Sequence, residues 1–308
     1  MNAYARIDKF LDEAGYAASS EESYRYLLRR AADWLEGRGE GKALEDISVG
    51  EYRQFLNSHE WSHNMQRIYG ASLRAYLRWC GVVEHPIFHE ILPRDDAPPG
   101  RSLERSDLRD LLASFDTTQP LGWRNLAILA LMVETGLRCS EICRLEVGRL
   151  DMRHRKLVAQ VKGKRRGERK WREAVFSEDT ARFLEIWLEE RPKHAKKGVN
   201  TVFVSLGGNT RGEAITPDGL RALFGKWGKK AEIGKLSPHD MRRTMAVLLI
   251  EAGAPTRLVQ VLGGWDDIRM VERYSQALKP SQIDRYSPIR EIVGIDLNSE
   301  SVKKDQRA

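Results

Sequence analysis

The nine residues Pro93–Arg101, PRDDAPPGR, constrain the folding of this chain more than any other stretch. Proline fixes φ, removes an N–H donor and pushes the residue before it out of the helical region. Prolines on both sides of a charged stretch therefore exclude a continuous helix or an interior strand. Such an extended segment spans the gap between separate cores. With 308 residues the chain is long enough for two domains. The expected division is 1–92, a linker at 93–102, a larger domain at 103–287 and a polar tail at 288–308.

Before the linker the pattern is helical. Ala3–Ala14 carries an apolar stripe. Ser19, Ser20, Glu21 and Glu22 open a second helix, with a serine cap and early acids, running to about Leu35. GRGEGKA is a loop. Asp46–Asn57 forms a short helix with Ser48 as a cap, and Ser62 or Asn64 caps a longer one, MQRIYGASLRAYLRWCGVV. Amphipathic helices of this kind make a small bundle. After the linker, helices are expected at Ser106–Phe115, Gly122–Thr135 (ended by Gly136) and Cys139–Leu145. Lys156–Val161 alternates like a strand, and Trp171–Phe176 supplies its return. Further helices are expected at Asp179–Glu190, Thr216–Lys229, Pro238–Glu251, Thr256–Leu262 and Met270–Leu278. The fold class is mainly α, in the α+β sense, with a small antiparallel sheet in the second domain.

Composition narrows the partners. No run of about 18 apolar residues crosses a bilayer, and the N-terminus is not a signal peptide, so a cytoplasmic protein is expected. Cys80, Cys139 and Cys143 lack zinc spacing, and no metal or cofactor is expected. Net charge is +7. Residues 1–95 hold 12 basic against 15 acidic residues, a net of −3, which leaves +10 for the rest. The positive charge thus gathers in the second part, as a polyanion partner requires, although a solvated surface would carry it too.

The chemistry concentrates between Ser237 and Tyr274. His239 and Arg242 lie three apart at the start of a helix and share a face. Trp265 follows a Gly-Gly pair and Tyr274 lies nine residues on. A proton acceptor, a fixed cation, an indole donor and a phenol suit phosphate chemistry with a tyrosine nucleophile. TGLRCSEICRL adds Arg138, and the basic turn VKGKRRGERK adds lysines. Two guanidiniums clamp an anionic transition state. His239 stands at a helix N-terminus, which favours the neutral, proton-accepting imidazole.

Taken together, these boxes resemble the tyrosine recombinases, the integrase family of phage integrases and Xer-type resolvases. The resemblance implies a SAM-like, helical core-binding domain that clamps duplex DNA, followed by a mixed catalytic domain. It implies Arg138 and Arg242 as the phosphate clamp, His239 as the base that helps deprotonate Tyr274, and Tyr274 as the nucleophile forming a 3′-phosphotyrosine. It selects Lys162 as the general acid for the leaving 5′ oxygen, with Lys164 as the alternative. It also implies Glu141 as a hydrogen-bonding support for the site. Trp265 departs from the commoner histidine; its indole donates a hydrogen bond but shuttles no proton. Arg67, Arg74 and Arg78 at helical spacing, with Lys164, Arg165 and Arg166 on the turn, are expected to contact DNA, although a solvated helix face and loop would look the same. The implied partners are double-stranded DNA, a tetramer on two sites and an accessory or partner recombinase protein. A type IB topoisomerase and a DNA-binding protein with a degenerate site are the alternatives.

Overall fold

The computed structural model describes residues 2–39, 41–91, 100–163 and 165–274. Residues 93–99 of the expected linker, Lys164, Tyr286 and the tail lie outside them. The chain divides into two compact units: Met1–Pro98 with Gln160–Trp171, and Pro99–Ala159 with Arg172–Ala308.

The first unit is built on α1 (Ala3–Ala14), α2 (Ala18–Glu36), α3 (Val49–Asn57) and α4 (His63–Trp79). Their inward faces supply Ile7, Phe10, Leu27, Leu28, Phe55, Tyr69 and Leu73 to one core, as the apolar stripes require. Ser48 caps α3 with Glu51 reaching back, and Ser62 caps α4. At α2 the expected serine cap is replaced. Ala17 occupies the N-cap without a side-chain bond, and Ser19 already lies inside the helix. Arg166 donates its backbone N–H to the Gly15 carbonyl at 3.0 Å, and its guanidinium lies 3.3 Å from Glu21 and 3.6 Å from Asp12.

The second unit is organised on α6 (Pro120–Thr135), which is apolar almost all round and therefore buried. It packs against α8 (Glu178–Glu190) and α10 (Pro238–Glu251). The helices α5 (Arg105–Ala113), α7 (Cys139–Arg144) and α9 (Pro217–Lys230) complete the main core, while α11 (Thr256–Gly263) and α12 (Arg269–Glu272) follow α10. A three-stranded sheet runs β1 (Leu150–Asp151), β2 (Lys156–Lys162) and β3 (Arg169–Val175) in that order. β1 was not expected; two residues are too short for an alternation signal. It is antiparallel to β2, with Leu150 opposite Leu157. Leu157, Ala159 and Val161 alternate into the interior. No helix among the described residues is long and apolar enough to cross a membrane, and the three cysteines are free thiols.

Gly136 ends α6 at φ +59°, a left-handed turn that L side chains adopt at a cost. Gly136→Ala should lower stability by about 1–2 kcal/mol, whereas Gly148→Ala, in open space without positive φ, should be near neutral. Equal urea midpoints for the two variants would contradict this.

Candidate active site

The left-handed turn at Gly136 reverses the chain so that Leu137 is buried and Arg138 becomes the N-cap of α7. Glu141, three residues on and 1% exposed, accepts the Arg138 backbone N–H at 2.9 Å and its Nη1 at 2.8 Å. The Arg138 side chain stays 41% exposed, held from one side by a buried carboxylate and open on the other. The expected support role of Glu141 therefore has a geometry.

Arg242 reaches the same place from α10. It is 1% exposed, donates Nη1 to the Gly136 carbonyl at 2.6 Å, and lies 4.1 Å from the centre of the Trp265 ring. A guanidinium at that distance over an indole face gains a cation–π attraction. Its Nη2 is buried with no hydrogen-bond partner among the described residues. Burial first, then the charges of Arg138 and Arg172, push its pKa down to about 9. It remains a cation at neutral pH, short of negative charge.

α10 starts at Pro238, with Ser237 at the N-cap and Asp240 accepting the Ser237 backbone N–H at 2.8 Å. This puts His239 in the first turn, where it lines one cleft together with Arg138, Arg242 and Arg221 of α9. His239 touches solvent, yet partial withdrawal from water, followed by the charges of Arg243, Arg242 and Arg138, lowers its pKa. Asp240 opposes the shift without reversing it. The neutral imidazole expected from the helix end is thus favoured, for reasons that include three arginines.

Trp265 and Tyr274 are joined in a small cluster apart from the main core. Ala246, Val247 and Ile250 of α10 meet Val259, Val271 and Tyr274, with Trp265 packed on them. The two rings are 6.0 Å apart, tilted at 49°, and Tyr274 is 8% exposed. Arg242 senses the Tyr274 phenol electrostatically. Arg138, Glu141, His239, Arg242, Trp265 and Tyr274 are therefore brought together within the second unit.

The remaining expected residues are placed differently. Lys162 ends β2, and Lys164 lies outside the described residues. In the first unit Arg67 and Arg78 are exposed on α4, Arg78 over the Phe88 ring at 4.8 Å. Arg74 donates instead to the carbonyls of Ile87 and Glu90. Those carbonyls belong to the short helical turn at Pro86–His89 and the residue after it, which the guanidinium ties to α4. Arg165 is exposed with its backbone N–H on Glu168, and Arg166 faces the carboxylates of Glu21 and Asp12. Two site arginines were not singled out from sequence. Arg221 lies on an exposed helix face, and Arg172 sits in the middle of a basic strand; neither position carries a local signal.

The electrostatics of His239 can be tested directly. Its imidazole should titrate below the ordinary 6.5 by NMR in the free protein, and Arg243→Gln should raise that value. Below pH 6.5 the unfolded state then binds the proton before the folded state does, so stability falls with acid in that window and levels off below the folded pKa. A titration at or above 6.5 would remove the basis for a neutral base.

Comparisons with known proteins place the family and the fold. The sequence profile described as Phage integrase family matches residues 101–280. Tyrosine recombinase XerD of Pseudomonas aeruginosa is 30% identical over 283 residues, covering 87% of this chain and 91% of that protein. The fold is similar to that of the Tn1549 transposon integrase in complex with transposon right-end DNA, with a TM-score of 0.73 at 17% identity, over 96% of this chain and 100% of that chain. It is also similar to lambda integrase, solved as a tetramer bound to a Holliday junction, with a TM-score of 0.62 at 16% identity over 88% and 76% of the two chains. By the profile over most of its second unit and by the identity along nearly its whole length, this chain belongs to the phage integrase family of tyrosine recombinases.

Proposed function

We propose that this chain is a site-specific DNA recombinase that cuts and rejoins duplex DNA through a 3′-phosphotyrosine. The observation that carries the reading is Arg242, a buried cation whose Nη2 has no hydrogen-bond partner among the described residues, lining the same cleft as Arg138 and His239. An unpartnered buried donor costs about 1–3 kcal/mol, and a phosphodiester oxygen is the acceptor and counter-charge that relieves it. Arg138 and Arg242 grip the non-bridging oxygens and stabilise the charge that grows in the transition state. Trp265 backs Arg242 with its ring and offers its indole N–H to a phosphate oxygen.

The Tyr274 Oη attacks phosphorus while neutral His239 takes its proton, and the bond from phosphorus to the 5′ oxygen breaks. Lys162 gives the departing oxygen its proton. A 5′-hydroxyl from the partner strand then reverses the steps, so the bond energy is kept in the phosphotyrosine and no ATP is consumed. By likeness to the DNA-bound recombinase structures, the chain acts on double-stranded DNA and assembles as a tetramer on two sites. The tail at 288–308 docks on a neighbouring protomer, an accessory or partner recombinase protein joins the complex, and the work is done in the cytoplasm. Relaxation of any plasmid regardless of sequence would favour a type IB topoisomerase instead.

The deciding test is covalent capture on nicked genomic DNA without metal or ATP, with the SDS-resistant adducts sequenced. Adducts at one discrete sequence are expected. Tyr274→Phe should abolish them while DNA binding stays nearly intact, and Tyr286→Phe should not. Adduct formation by Tyr274→Phe would sink the assignment. Replacing the leaving 5′ oxygen by sulfur, which departs without an acid, should restore cleavage to Lys162→Ala from a loss of about 100-fold or more. If only Lys164→Ala is rescued in this way, the acid is Lys164.

A further inference from the structure

Arg172, on β3, is a candidate that the scheme above leaves unused. Its side chain is 11% exposed. Nη2 donates to the Thr135 carbonyl at 3.2 Å and lies 3.5 Å from Glu141 Oε2, while Nη1 donates to the Leu262 carbonyl. Each contact leads to a different part of the site. Thr135 immediately precedes Gly136, whose carbonyl holds Arg242. Glu141 holds Arg138 through both its backbone and its guanidinium. Leu262 lies in the last turn of α11, three residues before Trp265.

The turn that follows Leu262 is shaped around this arginine. Gly264 has φ +62°, and a Cβ there would stand 2.9 Å from Arg172 Cδ. The backbone thus passes over the guanidinium stem at a distance that only glycine allows without rearrangement. One carboxylate, Glu141, is shared by Arg138 and Arg172, so Arg172 also adds positive charge beside the clamp.

We propose that Arg172 is a positioning residue that locks the arm carrying Trp265 and Tyr274 onto the loop carrying Arg138 and Gly136, and so sets the nucleophile in line with the clamped phosphate. Arg172 touches no substrate in this role. It acts through the Leu262 carbonyl on one side and through Thr135 and Glu141 on the other. A planar fork serves these three acceptors together, whereas a lysine keeps the charge but reaches them only as a compact point. The proposal rests on the recombinase reading, and the experiment separates the two.

Arg172→Lys and Arg172→Met are compared with wild type by thermal midpoint, binding to duplex DNA, single-turnover adduct rate on the captured nicked site, and the fluorine resonance of 5-fluorotryptophan at Trp265 without DNA. The resonance is assigned by its loss in Trp265→Phe. Both Arg172 variants should keep DNA affinity within about threefold, lose about 100-fold in adduct rate, the order expected when reacting groups are misplaced by an ångström, and shift or broaden the Trp265 signal. Arg172→Lys with near-wild-type adduct rate would show that charge alone matters and would overturn the proposal. So would an unmoved Trp265 signal. Loss of stability, binding and cleavage in step would make Arg172 a brace of the fold, which also overturns it. Wild type without adducts would sink the recombinase reading, and the Trp265 resonance would still decide whether Arg172 holds the arm.

Discussion

A positive charge held out of water is the constraint on which the second unit depends. Arg242 is 1% exposed and has the Gly136 carbonyl and the Trp265 face as partners, neither of which is an anion. Arg138 and Arg172 add two more guanidiniums, and Glu141 is the carboxylate in contact with that pair. Folding alone gains little from such an excess, because desolvated like charges repel. In the proposed recombinase function the surplus is used when a phosphate enters, since donors already fixed need no reorganisation as charge develops on the reacting oxygens. The lowered pKa values of Arg242 and His239 come first from withdrawal from water and then from the neighbouring guanidiniums.

The fold supplies the framework that tolerates this field. α10 serves two cores at once. Met241 and Met245 lie buried on it, Met241 in the main core, while Ala246, Val247 and Ile250 carry the small cluster that seats Tyr274. Arg242 and Tyr274 are thus referenced to one rigid helix, although they lie 32 positions apart in the chain. Two left-handed glycines do the steering. Gly136 aims a carbonyl at Arg242 and delivers Arg138 to the cleft; Gly264 lets the chain cross Arg172. Among the described residues Tyr274 is secured by apolar packing in that small cluster.

Local signals in the sequence located most of these elements because their causes are local. The bounds of α1 and α10 follow from the apolar stripe of one and from Ser237-Pro238 with Asp240 in the other. Gly136 as a helix stop needed only its lack of Cβ. His239 at a helix start, and the spacing from Arg138 to Tyr274, could be read without coordinates because they are sequence distances within recognisable boxes. Long-range contacts were not legible in this way. The bonds of Arg74 to the carbonyls of Ile87 and Glu90 join residues 13 and 16 positions apart, and no periodicity announces them. Ser19 has the chemistry of a cap, yet the packing of α2 carries the helix two residues further back to Ala17.

The sequence by itself therefore determined the helical character, the family and the types of side chain available for phosphate chemistry, since composition, periodicity and spacing are properties of neighbouring residues. Only the tertiary structure decided which arginines share the cleft, which of them are out of water and which serve as internal braces. Arg172 illustrates the difference. In the chain it is one basic residue among several on a strand; in the fold it binds carbonyls 37 and 90 residues away. Burial and partner choice depend on what the rest of the chain brings to the same place, and no local pattern encodes that.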